Sequence, residues 1–310
     1  MTVIVGILCS DGVVIGSDSA MVAGRVGRYT IERQDGDVLK IEIIENDTIT
    51  AVTGAMGLAQ RFNDQLATTI RTLRQPFQPP QFFPGVGVVG SPLQQMLNGK
   101  VPAGTAPYDA ISPVEMGRTI AQIIIGDFQR TQSTHQVSNG WGLGALFGFV
   151  NADTPHLIDF DPVQFHPELK GLPDPLRGDQ DRNWRGVTWG AGQQLADAFL
   201  AHAYRILFGG KAPTVARAKL AVAWTVDHVS KYNIGLVGGK LQLAVLEKRN
   251  GAWIAHHEDP GEIQGQVASL EGYISEFREM QKPEAAAEAS TVDVHRVLAG
   301  EEQIGEAPPA

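Results

Sequence analysis

The chain opens with two β-branched, apolar runs, residues 3–9 and 12–18, separated by the polar turn signal Ser10-Asp11-Gly12, a pattern that predicts a β-hairpin. After a polar, glycine-containing loop, residues 38–44 alternate, with Leu39, Ile41 and Ile43 on one face and Val38, Lys40, Glu42 and Ile44 on the other. A further strand is expected over 47–53, turning at Asn46-Asp47. The period then lengthens: Leu58, Phe62, Leu66, Ile70 and Leu73 recur every three or four residues, which marks an amphipathic helix beginning near Gly54 or Ala55. A second helix from about Ser112 carries Met116, Ile120, Ile124 and Phe128 on one stripe. Between the two helices, residues 75–111 hold Pro76, Pro79, Pro80, Pro84, Pro92, Pro102 and Pro107, so we expect an ordered insertion or a mobile lid outside the core. Strands resume at 144–150 and 156–160 and, after a Pro- and Asp-rich loop, at about 185–189. Helices follow near 195–207 and 215–229, and a last hairpin runs 240–247 and 253–256.

Strands, two helices, strands, two helices, strands is an α/β (α+β) order. It suggests a four-layer αββα sandwich: two mainly antiparallel sheets face each other and each buries its other face under a helix pair. We expect one domain over 1–281. Residues 282–310 are rich in Ala, Glu and Pro and set six acids against Lys282 and Arg296, which points to an acidic, disordered tail.

Composition narrows the function classes. The 310 residues carry 25 Lys+Arg and 34 Asp+Glu, a formal charge of -9, which repels phosphate backbones and sets nucleic-acid binding aside. The single cysteine, Cys9, cannot form an internal disulfide and sits in an apolar run, as expected of a buried thiol in a reducing compartment. The first residues lack the basic segment of a secretory signal, and the longest stretches without charge, 75–99 and 131–152, are broken by prolines or rich in polar residues. A cytoplasmic protein without a membrane span is the expectation.

Four residues offer chemistry. Removal of Met1 would give Thr2 both a hydroxyl and a free α-amine, and such an amine titrates near pH ~7.7 to 8.0, low enough to accept the hydroxyl proton. Met-Thr starts are also common without any such role. Lys40 interrupts its strand either as a solvated lysine beside Glu42 or as a cation in a cleft, where it would lower the pKa of a neighbouring group. Asp18, in Gly16-Ser17-Asp18-Ser19-Ala20, is a turn residue or the anion that pairs with Lys40. Gly54, where a strand yields to a helix, is a plain turn or a backbone N–H aimed at an oxyanion.

Taken together, Thr2-Val3-Ile4-Val5-Gly6, Ser10-Asp11-Gly12-Val13-Val14-Ile15-Gly16-Ser17-Asp18-Ser19, Lys40-Ile41 and Val52-Thr53-Gly54-Ala55 resemble the β-subunit and bacterial branch of the proteasome family, which are N-terminal nucleophile (Ntn) hydrolases. Both family intervals are kept: Asp18 lies sixteen residues after Thr2, and Gly54 fourteen after Lys40. The 18-to-40 interval is longer than usual. The resemblance implies the Ntn hydrolase fold and a threonine-type endopeptidase, with Thr2 as nucleophile, Lys40 tuning it, Asp18 orienting Lys40 and the Gly54 amide as oxyanion donor. It further implies a mostly apolar substrate pocket from Met21, Val38, Val52 and Met56, with Glu42 at its edge. It also implies assembly into a homo-oligomeric ring or barrel, peptide or unfolded-protein substrates, a possible ATP-dependent unfoldase as partner, and no cofactor or metal.

Two departures stand against full activity. Gly190-Ala191-Gly192 replaces the family's Gly-Ser-Gly, and the aspartate and serine expected before Gly238-Gly239 are missing from 232–237, where Asn233 is the available hydrogen-bonding substitute. A non-catalytic ring-forming scaffold of the same fold and an Ntn acylase acting on small amides therefore remain as alternatives. Other signals are weaker: Gly85-Val86-Gly87-Val88-Val89-Gly90 fits a dinucleotide fingerprint but has no expected strand before it or helix after it. His156 with His166, and His256-His257, lack metal-site spacing. Trp141, Trp184, Trp189, Trp224 and Trp253 are scattered, as packing residues are.

Overall fold

The computed structural model describes residues 2–23, 32–34, 38–83, 87–131, 142–171, 186–209, 211–233 and 236–280. β1 (Val3–Leu8) and β2 (Gly12–Ser17) form the expected hairpin, β3 (Met21–Ala23) pairs with β4 (Glu32–Gln34), and β5 (Ile41–Ile44) with β6 (Thr48–Thr53) leads into α1 (Met56–Leu73). The proline-rich stretch contains β7 (Gln81–Phe83), β8 (Gly87–Val89), α2 (Pro92–Leu97) and α3 (Pro107–Ala110), before α4 (Pro113–Thr131). β9 (Gly144–Asn151), β10 (Thr154–Phe160), β11 (Pro167–Lys170) and β12 (Gly186–Gly190) precede α5 (Gln193–Phe208) and α6 (Val215–Tyr232); β13 (Gln242–Arg249), β14 (Ala252–His257) and α7 (Pro260–Met280) follow. No described helix is long and apolar enough to cross a membrane.

Two five-stranded antiparallel sheets result, in the orders β12-β1-β2-β13-β14 and β11-β10-β9-β6-β5. They bury one face on each other: Ile4, Leu8, Val13 and Ile15 of the first share a cluster with Ile41, Ile49, Leu146 and Leu157 of the second. β9 shows why its run is apolar throughout. Leu146 and Val150 point into the inter-sheet cluster, while Ala145, Phe147 and Phe149 point to a second cluster with Phe62, Leu66 and Ile70 of α1 and Met116, Ile120 and Ile124 of α4. Complete burial of each such side chain stabilises the fold by roughly 1.5–3 kcal/mol. The outer face of the first sheet is covered by α5 and α6, which bury Leu200, Val222 and Val229. The order of layers is therefore helix, sheet, sheet, helix.

The structure departs from the sequence reading in identifiable places. The strand expected from Val38 begins only at Ile41, because the Val38 carbonyl and the Lys40 amide bond to the Gln242 side chain rather than to a neighbouring strand. The stretch 75–111 is not outside the core: Phe77, Leu93, Leu97, Val101, Tyr108 and Ile111 join the cluster under α1 and α4. The glycine run 85–90 does have a short strand before it and a helix after it, yet Gly87 lies inside β8 rather than in a strand-to-helix turn; residues 84–86 are outside the described set. β11 and α7 were not anticipated. The chain divides into two compact units, Met1–Gln264 and Gly265–Ala310, and α7 runs from the first into the second. The expected tail, 282–310, lies outside the described residues.

One buried acid in this framework titrates unusually. Asp159 of β10 is 3% exposed, and burial pushes its carboxyl up to about 6, against the pull of the Lys170 ammonium 3.2 Å from Oδ1. The contact is an ion pair without hydrogen-bond geometry. The folded value lies above the ordinary aspartate value of 3.8, so the folded chain holds the extra proton, and stability falls as pH rises from about 4 to about 6. Asp159→Asn should remove that dependence. Urea denaturation is expected to show the variant gaining on the parent between pH 4 and pH 7 by up to about 3 kcal/mol.

Candidate active site

The start of β1, the end of β2, the segment leading into β5 and the loop at Gly238 meet around Asp18, which is 1% exposed. Its Oδ1 accepts from Thr2 Oγ1 at 3.0 Å, from the Val3 amide at 2.9 Å and from Lys40 Nζ at 2.9 Å, and its Oδ2 accepts from the Gly238 amide at 3.1 Å. A carboxylate with four donors is satisfied without water. Lys40 Nζ also donates to the Ala20 carbonyl at 2.6 Å, and its side chain is 9% exposed. Burial lowers the Lys40 pKa; the charge of Asp18 and its hydrogen bond oppose that shift without cancelling it. Lys40 is thus a buried cation and not a solvated one, and Asp18 is its partner.

Each residue reaches this point for a local reason. β1 and β2 are antiparallel neighbours, and the Asp18 amide donates to the Val3 carbonyl at 3.4 Å, which lays the aspartate beside the start of β1. The 238–240 segment closes over 18–20: Ala20 N–H donates to the Gly238 carbonyl at 2.9 Å, and Lys240 N–H to Ser19 Oγ at 2.8 Å. Gly190, at the end of β12 with φ +109°, allows Thr2 to lie close. A Cβ there would stand 1.9 Å from the Thr2 carbonyl oxygen and 3.2 Å from Thr53 Oγ1. The same contact brings the end of β6 to Thr2, with Gly54 next in sequence. Gly54 has φ +133°, and a Cβ would meet the Gly142 carbonyl at 2.3 Å. It precedes α1, whose N-cap residue is Ala55, so the helix start lies at the site.

The residues read as substrate pocket scatter by comparison. Val52 is buried in the cluster beneath α1, Val38 is half-buried, Met56 is exposed as the first residue of α1, and Glu42 is half-buried on β5. Met21 opens β3, and its side chain is outside the described set. Ala191 leaves no hydroxyl beside Thr2, and Asn233 Nδ2 donates to the Ala191 carbonyl at 3.4 Å, so it holds that loop instead of replacing the missing acid. Two participants escaped the sequence reading, the Gly238 amide and Gln242. The glycine pair 238–239 was visible, but no pattern in sequence links Gln242 to Lys40.

Two other polar clusters are less suited to chemistry. A cavity of about 380 Å³, lined in part by Asp47, Arg74, Tyr108, Asp109, Asp153 and Trp253, lies at the other end of β6, and of its charged groups Arg74 is paired with Asp47 and Asp153 with Lys248. Glu247, His256 and Glu258 converge as metal ligands would, but Arg249 and Lys219 occupy the group, Arg249 Nη2 lying 2.7 Å from His256 Nε2 and Lys219 Nζ 3.0 Å from Glu258. Two cations balance two carboxylates there.

Because Asp18 and Lys40 are both buried, removing one charge leaves the other stranded. Lys40→Met is expected to cost about 3–5 kcal/mol in guanidinium denaturation. Lys40→Met with Asp18→Asn should be less destabilised than the sum of the two single variants, since neither leaves an unpaired charge in the double.

No family model matches the chain, and no curated protein matches it.

Proposed function

We propose that the chain is an N-terminal nucleophile hydrolase, a threonine peptidase of proteasome type that cleaves amide bonds with Thr2 as its first working residue. The observation that carries this reading is one carboxylate oxygen, Asp18 Oδ1, holding both the Thr2 hydroxyl and the Lys40 ammonium. A structural lysine needs no threonine on the same oxygen, and a structural threonine needs no buried cation. The helix–sheet–sheet–helix order, with the site at the rim between the sheets, agrees with that family's architecture.

The chemistry follows from the groups present. Once Met1 is removed, the Thr2 α-amine takes the proton from Oγ1, directly or through water, and Oγ1 attacks the substrate carbonyl carbon. The positive charge of Lys40 favours the deprotonated oxygen, and its lowered pKa reflects a dry environment in which that charge is poorly screened. The oxyanion of the tetrahedral intermediate is assigned to the Gly54 N–H at the start of α1. The C–N bond breaks as the leaving amine takes the proton from the α-ammonium, and water then cleaves the acyl-threonine ester with the amine again accepting a proton. Assembly into a closed ring would keep such a site from folded cytoplasmic proteins.

A scaffold reading has its own support in Ala191, which removes a hydroxyl from the site, and in Asn233, which is spent on a backbone carbonyl. The two readings separate on the chain end and on turnover. Thr2→Ala should reduce hydrolysis of short fluorogenic peptides by at least about a thousandfold, the scale on which loss of a covalent nucleophile shows. Intact mass should show Thr2 as the first residue of the parent and a single adduct with a peptide epoxyketone, which Thr2→Ala does not form. Turnover unchanged in Thr2→Ala, or a retained Met1 in an inert parent, would overturn the proposal.

A further inference from the structure

Gln242 opens β13, in register with Ser17 of β2, and its side chain crosses to the segment that precedes β5 in the other sheet. Gln242 Oε1 accepts the Lys40 N–H at 2.9 Å and lies 3.5 Å from the Ser17 hydroxyl, which donates to it; Gln242 Nε2 donates to the Val38 carbonyl at 2.5 Å. One planar carboxamide therefore satisfies the backbone groups on both sides of Leu39, as a residue of an adjacent strand would. Its orientation is fixed by need, since Lys40 N–H requires an acceptor and Val38 C=O a donor. On its other side Lys40 offers its own carbonyl to Val52 N–H of β6, at 3.3 Å. The backbone of Lys40 is thus gripped by a strand through its carbonyl and by Gln242 through its amide.

We infer that Gln242 is a positioning residue for Lys40: its carboxamide closes on the backbone either side of Leu39 and so sets where the ammonium meets Asp18. Without this clamp, residues 38–40 have no strand partner for the Val38 carbonyl or the Lys40 amide, and the segment is free to lift toward solvent. The carboxamide is specific to the task. Glutamate keeps an acceptor for Lys40 N–H but turns an anion toward the Val38 carbonyl, and leucine supplies neither bond. The kinetic consequence rests on the proposed function, whereas the placement of Lys40 does not.

Two measurements separate these. Asp18 is the charged group that acts on the Lys40 ammonium among the described residues, so the pH midpoint of Lys40 reports its burial and that pairing. Competitive acetylation of the folded protein across pH, read by mass spectrometry on the peptide carrying Lys40, should give a midpoint below 10.5 in the parent. Gln242→Leu should raise it by about 0.5 pH or more as water enters, and Gln242→Glu should raise it further by adding negative charge. If the peptidase reading holds, Gln242→Leu also lowers kcat about tenfold with KM little changed and displaces the pH–rate profile. A Lys40 midpoint equal to the parent's in both variants overturns the inference, whether or not peptides are cleaved. Gln242→Asn, one methylene shorter, serves if the leucine variant does not fold; a parent-like midpoint there has the same meaning.

Discussion

A carboxylate removed from water must be met by donors, and Asp18 meets four of them from three segments of the chain. The start of β1 supplies two, the lead-in to β5 the third and the 238 loop the fourth. These segments are far apart in sequence, so the pairing that satisfies one side chain also fixes how the rims of both sheets meet. The Lys40 ammonium balances the charge, and the Ala20 carbonyl takes another of its protons. Any chemistry at Thr2 inherits this arrangement.

Most of the architecture was legible because hydrophobic period reports burial directly. β1, β2, β6, β9 and β10 and helices α1, α4, α5 and α6 fall within a few residues of their sequence boundaries, since the strands are largely apolar runs and each helix has a periodic apolar face. Readings failed where tertiary context replaced local pattern. Val38 to Lys40 alternates as a strand would but finds a side chain for a partner. The prolines of 75–111 suggested exclusion, yet they sit at turns and helix starts, as at α2 with its Ser91 cap, and leave Leu93 and Leu97 free to pack inward. The spacing of Ile263, Val267, Leu270 and Ile274 is the helical signal by which α7 was recoverable.

The site was legible in part, through spacing rather than composition. Thr2, Asp18 and Lys40 converge as the family resemblance implied, and Gly190 and Gly54 hold backbone geometries that suit their close contacts. The pocket residues were less legible, because a strand's side-chain alternation does not say which layer its face meets. Val52 faces α1 and α4 instead of an open cleft. The Gly238 amide and the Gln242 carboxamide carry no signature, because hydrogen bonding by backbone and amide groups is common to every fold.

The groups around Asp18 straddle a seam. Thr2, Asp18, Gly190, Gly238 and Gln242 belong to strands of one sheet or their flanking turns, while Lys40 and Thr53 belong to the other sheet or its border. Hydrogen bonds of about 3 Å tolerate little displacement, so sliding one sheet over the other by even a side chain's width would separate the cation from its anion. The interlocking of Ile4 and Ile15 with Ile41 and Leu146 thereby acts as a mechanical alignment of the polar rim. Repacking substitutions deep in that layer would reach the rim with no polar atom changed.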